Sequence, residues 1–127
     1  MTRRSEGTRG ITLRLGWPPS VNHYWVHTRG RTFLGAKGKS YREAVFAEAR
    51  AENVEPLTGR VGVWITVYPP DKRTRDLDNL LKGLMDACTH AKVWYDDSQV
   101  WMIHMVREDK VVPDGLVELC AWEILWL

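Results

Sequence analysis

At 127 residues, with 44% apolar and 27% charged side chains, the chain has the size and make-up of one globular domain that buries its core without staples. A formal net charge of +2 rules out any argument for a nucleic-acid partner from total charge alone. No apolar run approaches the ~18 residues of a bilayer span, and Arg14 and Gly16 interrupt the segment that a signal peptide needs.

The polar, basic stretch 1–10 reads as a flexible tail. Ile11 to Leu15 alternates with period two and predicts a half-buried strand, which Trp17-Pro18-Pro19-Ser20 ends. Val21 to Gly38 has no clear period and reads as an exposed loop or loose hairpin. It carries a local charge bias: Arg29, Arg31, Lys37, Lys39 and Arg42 stand with no acid between Arg29 and Arg42. That block is a candidate phosphate-facing surface. From Asp96 onward seven acids face only Arg107 and Lys110, so the tail is not.

Ser40-Tyr41-Arg42-Glu43 has the form of a capping box and predicts a helix to about Asn53, with Tyr41, Ala44, Val45 and Ala49 on one face. Val61 to Tyr68, rich in β-branched and aromatic residues, predicts a strand stopped by Pro69. In the next helix Leu77, Leu80, Leu81, Leu84, Met85 and Cys88 form one apolar stripe, with Asp78, Asn79, Lys82 and Asp86 opposite. Strands follow over Val100–Val106 and Leu116–Trp122, joined by a turn through Pro113-Asp114-Gly115. The order β, loop, α, β, α, β, β predicts an α+β fold. It would be one domain over 1–127, a mixed sheet of about four strands with two helices packed on one face. Cys88 and Cys120, without a C-x-x-C pair, read as buried, reduced thiols of a soluble cytoplasmic protein.

The chemistry concentrates in the segment 71–100. Lys72, Arg73 and Arg75 can hold phosphate, and Asp76 and Asp78 stand two apart where loop becomes helix. Hard divalent cations take oxygen ligands and keep several waters, so a few carboxylates suffice. Asp96 or Asp97 can join the pair if the following strand returns beside the one that ends at Tyr68. Lys82, four residues after Asp78, shares its helix face and can neutralise charge growing on a phosphodiester under attack. The same acids also suit plain structure: Asp76 as an N-cap, Asp78 against the helix dipole, Asp96-Asp97 as a turn. His23 and His27 lie four apart in surroundings unsuited to a metal-binding helix, and no serine has the setting of a nucleophile.

The ordered set Trp17-Pro18-Pro19-Ser20-Val21-Asn22, His27-Thr28-Arg29-Gly30-Arg31-Thr32, Tyr41-Arg42-Glu43, Arg75-Asp76-Leu77-Asp78-Asn79-Leu80-Leu81-Lys82 and Trp94-Tyr95-Asp96-Asp97-Ser98-Gln99-Val100 resembles the RusA family of Holliday junction resolvases. The resemblance runs from about Ile11 to Val106. It implies a homodimeric, Mg²⁺-dependent endonuclease (Mn²⁺ a plausible substitute) that nicks opposed strands of four-way DNA in DNA recombination and repair. It would be bacterial or phage-encoded, cytoplasmic and nucleoid-associated. The resemblance implies Asp76, Asp78 and Asp97 as metal ligands and Lys82 as the essential lysine, with Asp96, Asn79 and Asn22 as accessory residues. It also implies a DNA-binding surface around Arg29, Arg31, Lys72, Arg73 and Arg75, beside Lys37 and Lys39. A two-fold dimer would present two equal sites to a pseudo-symmetric junction, and some of the seven Trp suit its interface. The alternatives are a non-catalytic junction- or DNA-binding module, and a nuclease of other branched DNA such as forks or flaps.

Overall fold

The expected strand over Val61–Tyr68 forms the spine of the structure, a computed structural model that describes residues 10–125. Its alternate residues Val61, Val63, Ile65 and Val67 are fully buried. Around this strand the chain runs β1 (Gly10–Leu15), α1 (Val21–Tyr24), β2 (Trp25–Thr28), β3 (Arg31–Leu34), α2 (Ala36–Ala51), β4 (Val61–Tyr68), α3 (Leu77–His90), a 3-10 turn (Asp97–Gln99), β5 (Val100–Arg107) and β6 (Leu116–Glu123). β1, β6, β4 and β5 form a mixed sheet in that order. β4 is antiparallel to β6 and parallel to β5, and β2 pairs with β3 as a separate hairpin. The result is the expected α+β architecture with its four-stranded mixed sheet. The tail expected over 1–10 lies outside the described residues as far as position 9, and Gly10 opens β1.

Ile11, Leu13 and Leu15 of β1, the buried β4 residues, and Val117, Leu119 and Ala121 of β6 make the inner face. On it lie Tyr41, Val45 and Ala49 of α2 and Leu84, Ala87 and Cys88 of α3. Leu80 is also buried, and Leu77, Leu81 and Met85 pack partly exposed, so the apolar stripe does fix α3 to the core. Burial pushes the Cys88 thiol up to about 12, which keeps it protonated as a small packing group. Cys120, expected to be buried, faces the other side of the sheet and is only partly covered, because β6 alternates and the helices cover one face.

Among the described residues three helices are present where two were expected. The stretch read as an exposed loop or loose hairpin holds the β2–β3 hairpin, with α1 before it and the start of α2 after it. The capping box is not used: α2 begins at Ala36 with Gly35 as N-cap, leaving Ser40 inside the helix, and Ala44 is exposed. The reason is the close seat of α2 on Tyr24. A Cβ at Gly38 would come within 2.4 Å of the Tyr24 carbonyl oxygen, so the glycine lets the helix run back past Ser40.

Tyr24 is the keystone of this layer. Fully buried, it donates its hydroxyl to Asp86, which Arg42 also binds at 2.8 and 3.1 Å. Burial first, then the bond to Asp86, hold the Tyr24 hydroxyl well above the usual phenol range. One network thus ties α1, α2 and α3 together. The Tyr24 ring lies on Gly83, where an added Cβ would meet ring carbon at 2.7 Å. Alanine at an ordinary helix position gains up to about 1 kcal/mol over glycine, but overpacking a filled core costs about 1–3 kcal/mol. Gly83→Ala is therefore expected to lower stability by up to about 2 kcal/mol. A higher denaturant midpoint in the variant would contradict this packing.

Candidate active site

β4 ends at Tyr68, and Pro69-Pro70 turn the chain into a loop that delivers Asp76 to the start of α3. Asp71 fastens this loop, pairing with Arg75 at 2.8 Å and Arg73 at 3.2 Å. The Arg75 bond, then the Arg73 amide, hold the exposed Asp71 carboxylate well below the ordinary range. Arg75 also lies over the Trp17 ring at 5.5 Å, and its side chain is only 14% exposed. It is therefore a brace for the loop. Arg73 and Lys72 are exposed, and Arg107 at the end of β5 donates to the Arg73 carbonyl at 3.1 Å. The loop is thus held from both sides.

Asp76 occupies the N-cap position of α3 but its carboxylate makes no capping hydrogen bond; only its carbonyl accepts, from Asn79. Asp78 follows in the first turn, and Lys82 one turn on. All three side chains are exposed, and no hydrogen bond or ion pair joins any of them to another described residue. Asp76 makes no side-chain cap, and no ion pair joins Asp78 to Lys82, although Asp78 in the first turn does lie against the helix dipole. Two carboxylates and an ammonium thus stand exposed over the first turns of α3 with no side-chain partner among the described residues. Of the three, Asp76 lines a groove that it shares with Asn79, Arg73, Lys37, His23 and Ser20. Asn22 is exposed on α1, next to His23 of this groove.

Asp96 and Asp97 lie elsewhere. The strand that follows them does return beside β4, but parallel to it, with Val100 opposite Val61. Leu57 also bridges Trp94. This places Asp97 at the beginning of the β4–β5 pair, whereas Asp76 follows its end. The 14 residues of α3 span the interval, about 20 Å at 1.5 Å per residue. Accordingly, among the described residues no three His, Cys, Asp or Glu side chains are grouped to hold a metal ion. Asp96 is engaged in structure: its carboxylate accepts from Ser98 at 2.9 Å and its amide donates to Gln99 at 2.9 Å. The Ser98 bond lowers its pKa. Asp97 opens the 3-10 turn exposed.

Arg29 and Arg31 stand exposed at the tip of the β2–β3 hairpin, and Lys37 and Lys39 in the first turn of α2. Arg42, counted in the same basic block, is instead tied to Asp86. His23 and His27 do not face one another across a helix turn: His23 is 3.0 Å from the Ser20 hydroxyl, and His27 in β2 is 2.8 Å from that of Thr32. The exposed cations can each neutralise a phosphate and release its counterion. Replacing Arg29 and Arg31 together by Ala is expected to weaken DNA binding and reduce the slope of log affinity against log salt by about 2. An unchanged slope, measured by fluorescence anisotropy, would remove the hairpin from the DNA surface.

The Tyr24–Asp86–Arg42 network was not foreseen, although Asp86 and Arg42 were both visible as charges within helical stretches. A half-covered helix face carrying one acid, near one arginine on a neighbouring helix, is the available signal.

The family model of Endodeoxyribonuclease RusA matches residues 16–118. The chain is 40% identical over 113 residues to "Crossover junction endodeoxyribonuclease rusA" of Enterobacteria phage 82, covering 88% of this chain and 93% of that protein. It is likewise 40% identical over 114 residues to the proteins named "Crossover junction endodeoxyribonuclease RusA" of Shigella sonnei (strain Ss046) and Escherichia coli (strain K12), covering 89% of this chain and 94% of each.

Proposed function

The chain belongs to the RusA family of endodeoxyribonucleases, and from that membership and the site geometry we propose that it is a crossover junction endodeoxyribonuclease that resolves four-way DNA by paired nicks. The observation that carries the reading is that Asp76, Asp78 and Lys82 are exposed with no side-chain partner among the described residues, at the end of a groove that Asp76 lines with Lys37 and Arg73. The carboxylate oxygens of Asp76 and Asp78 suit a hard divalent cation such as Mg²⁺, with Mn²⁺ as a substitute. Asp76 and Asp78 would hold it, and none of their bonds to the protein must first be broken. When bound, the ion supplies Lewis acidity toward the scissile phosphate and a lower pKa for the attacking water.

The chain's own residues do the rest. Lys82, unpaired and one turn from Asp78, offsets negative charge as it grows on the phosphoryl oxygens or the leaving oxygen. Lys37 and Arg73, on the rim of the groove, hold flanking phosphates and set the register of the strand. Asn79 and Asn22 supply neutral hydrogen bonds nearby.

The working unit in this reading is a homodimer, and β5 supports it. β5 is an edge strand whose Trp101, Met102 and Ile103 are 59%, 45% and 43% exposed. A long apolar edge left open is a template for pairing with another chain. In an isologous pairing two β5 strands would run antiparallel about a two-fold axis. The start of each β5 would then meet the end of its partner, where Arg107 touches the loop leading to Asp76. Such a pairing would carry Asp97 of one chain toward Asp76 and Asp78 of the other. Three carboxylates that α3 holds apart in one chain would meet between two. No helix of the described residues is long and apolar enough to cross a membrane, in keeping with a cytoplasmic setting.

The decisive assay uses a labelled four-way junction with Mg²⁺ and then with EDTA. Symmetric nicks on opposed strands, lost on chelation, are expected. That no three carboxylates are grouped among the described residues favours one other reading, a non-catalytic DNA-binding module. That module would bind the junction and release no product. Preferential cleavage of forks or flaps in the same assay would replace the junction with those substrates.

A further inference from the structure

The β2–β3 hairpin stands apart from the main sheet, and the fold takes care to hold it still. Its two ends are clamped together: the Gly35 amide donates to the Tyr24 carbonyl at 2.9 Å, and Tyr24 is locked into a network with Asp86 of α3 and Arg42 of α2. Arg29 and Gly30 form the tip, both with positive φ (51° and 72°), the two-residue turn whose twist matches that of the flanking strands. Trp25 and Leu34, paired across the hairpin base, pack against the core. The pairs alternate in facing, so Val26 with Phe33 and Thr28 with Arg31 form the opposite face. There Phe33 is 48% exposed, and Arg31 lies two residues along on the same face.

Phe33 leaves about half of its ring in solvent on a braced, cationic arm, outside the buried core. Between Glu6 and Glu43 the sequence has no acid, so the arm as a whole attracts a polyanion. His23 and Lys37, which flank the hairpin base in sequence, line the groove that contains Asp76 and Asn79. A strand lying in that groove is therefore led toward the arm. In continuous duplex the faces of the bases are hidden in the stack. At a branch point, where strands exchange, base faces become accessible, and an aromatic ring recognises them without regard to sequence.

We propose that Phe33 is the branch-reading residue of this enzyme, stacking on a base exposed at the point of strand exchange while Arg29 and Arg31 hold the adjoining phosphates. The inference rests on the junction-resolving reading above and deepens it, for it assigns selectivity for branched over linear DNA to one side chain. Because Phe33 is about half exposed and lies outside the buried core, its replacement tests recognition largely apart from folding, and a matched thermal melt of each variant checks this.

The test compares binding of a four-way junction and of a linear duplex of matching sequence. The junction carries 2-aminopurine in turn at each base flanking the crossover, and a metal-free buffer prevents cleavage. Phe33→Ala is expected to reduce the junction-to-duplex affinity ratio about tenfold and to remove the 2-aminopurine fluorescence change seen with the unaltered protein. Phe33→Trp is expected to restore both. An unchanged ratio in Phe33→Ala, or equal weakening on junction and duplex, overturns the assignment while paired nicking by the unaltered protein leaves the resolvase reading standing. If the unaltered protein neither prefers nor cuts junctions, that reading fails first and this one with it.

Discussion

Replacing Asp76 by Asn is expected to reduce junction cleavage by at least about a hundredfold, the scale of losing one element of transition-state charge stabilisation, while junction binding and fold stability stay near their original values. The separation follows from what Asp76 does in the structure. It stands at the N-cap of α3 without a side-chain capping bond, so the change breaks no contact within the protein. Asn is as good an N-cap residue as Asp, so helix stability offers no other route to an effect. What changes is the charge and basicity of one ligand oxygen. A variant that cuts normally would return Asp76 to the role of a plain helix-start residue. A variant that loses junction binding as well would indicate that the carboxylate, through its ion, anchors the DNA.

Much of this site was legible before any coordinates. The β-branched run of β4 and the i, i+3, i+4 stripe of α3 fix where Asp76, Asp78 and Lys82 stand, because the stripe that faces the core forces the polar turn to face solvent. The element order correctly gave an α+β fold. Two features were missed and a third, the hairpin, was read only as an alternative to a loop, each for a physical reason. The S-x-x-E signal at Ser40 is a local preference of about 1 kcal/mol, overridden by the close packing that Gly38 permits against Tyr24. The hairpin has neither an apolar face with period two nor an Asn-Gly turn. Its stability comes from its base, through Trp25, Leu34 and the Gly35–Tyr24 bond.

The other missed feature is the separation of Asp97 from Asp76, and here a signal was available. A strand, a helix of 14 residues and a strand joined by short links form a unit whose strands run parallel. Parallel pairing necessarily sends the start of β5 to the far end of α3. On the reading proposed above, the acids then have the right identities for one site and the wrong positions for a site within one chain. That conflict, together with the apolar open edge of β5, is the support for the proposal that a second chain completes the site.

Mixing two inactive proteins tests this account most directly. Asp76→Asn and Asp97→Asn homodimers are each expected to be inactive, since every site in either lacks one carboxylate. When the two are unfolded together and refolded, heterodimers form. If each site draws Asp76 and Asp78 from one chain and Asp97 from the other, a heterodimer has one intact site and one site lacking both residues. The account predicts that the mixture regains Mg²⁺-dependent nicking of a four-way junction, as single nicks and not as paired ones, at about half the strand-cutting rate per heterodimer. A mixture with heterodimers present and no nicking would contradict it, because sites contained within single chains would each still carry one substitution.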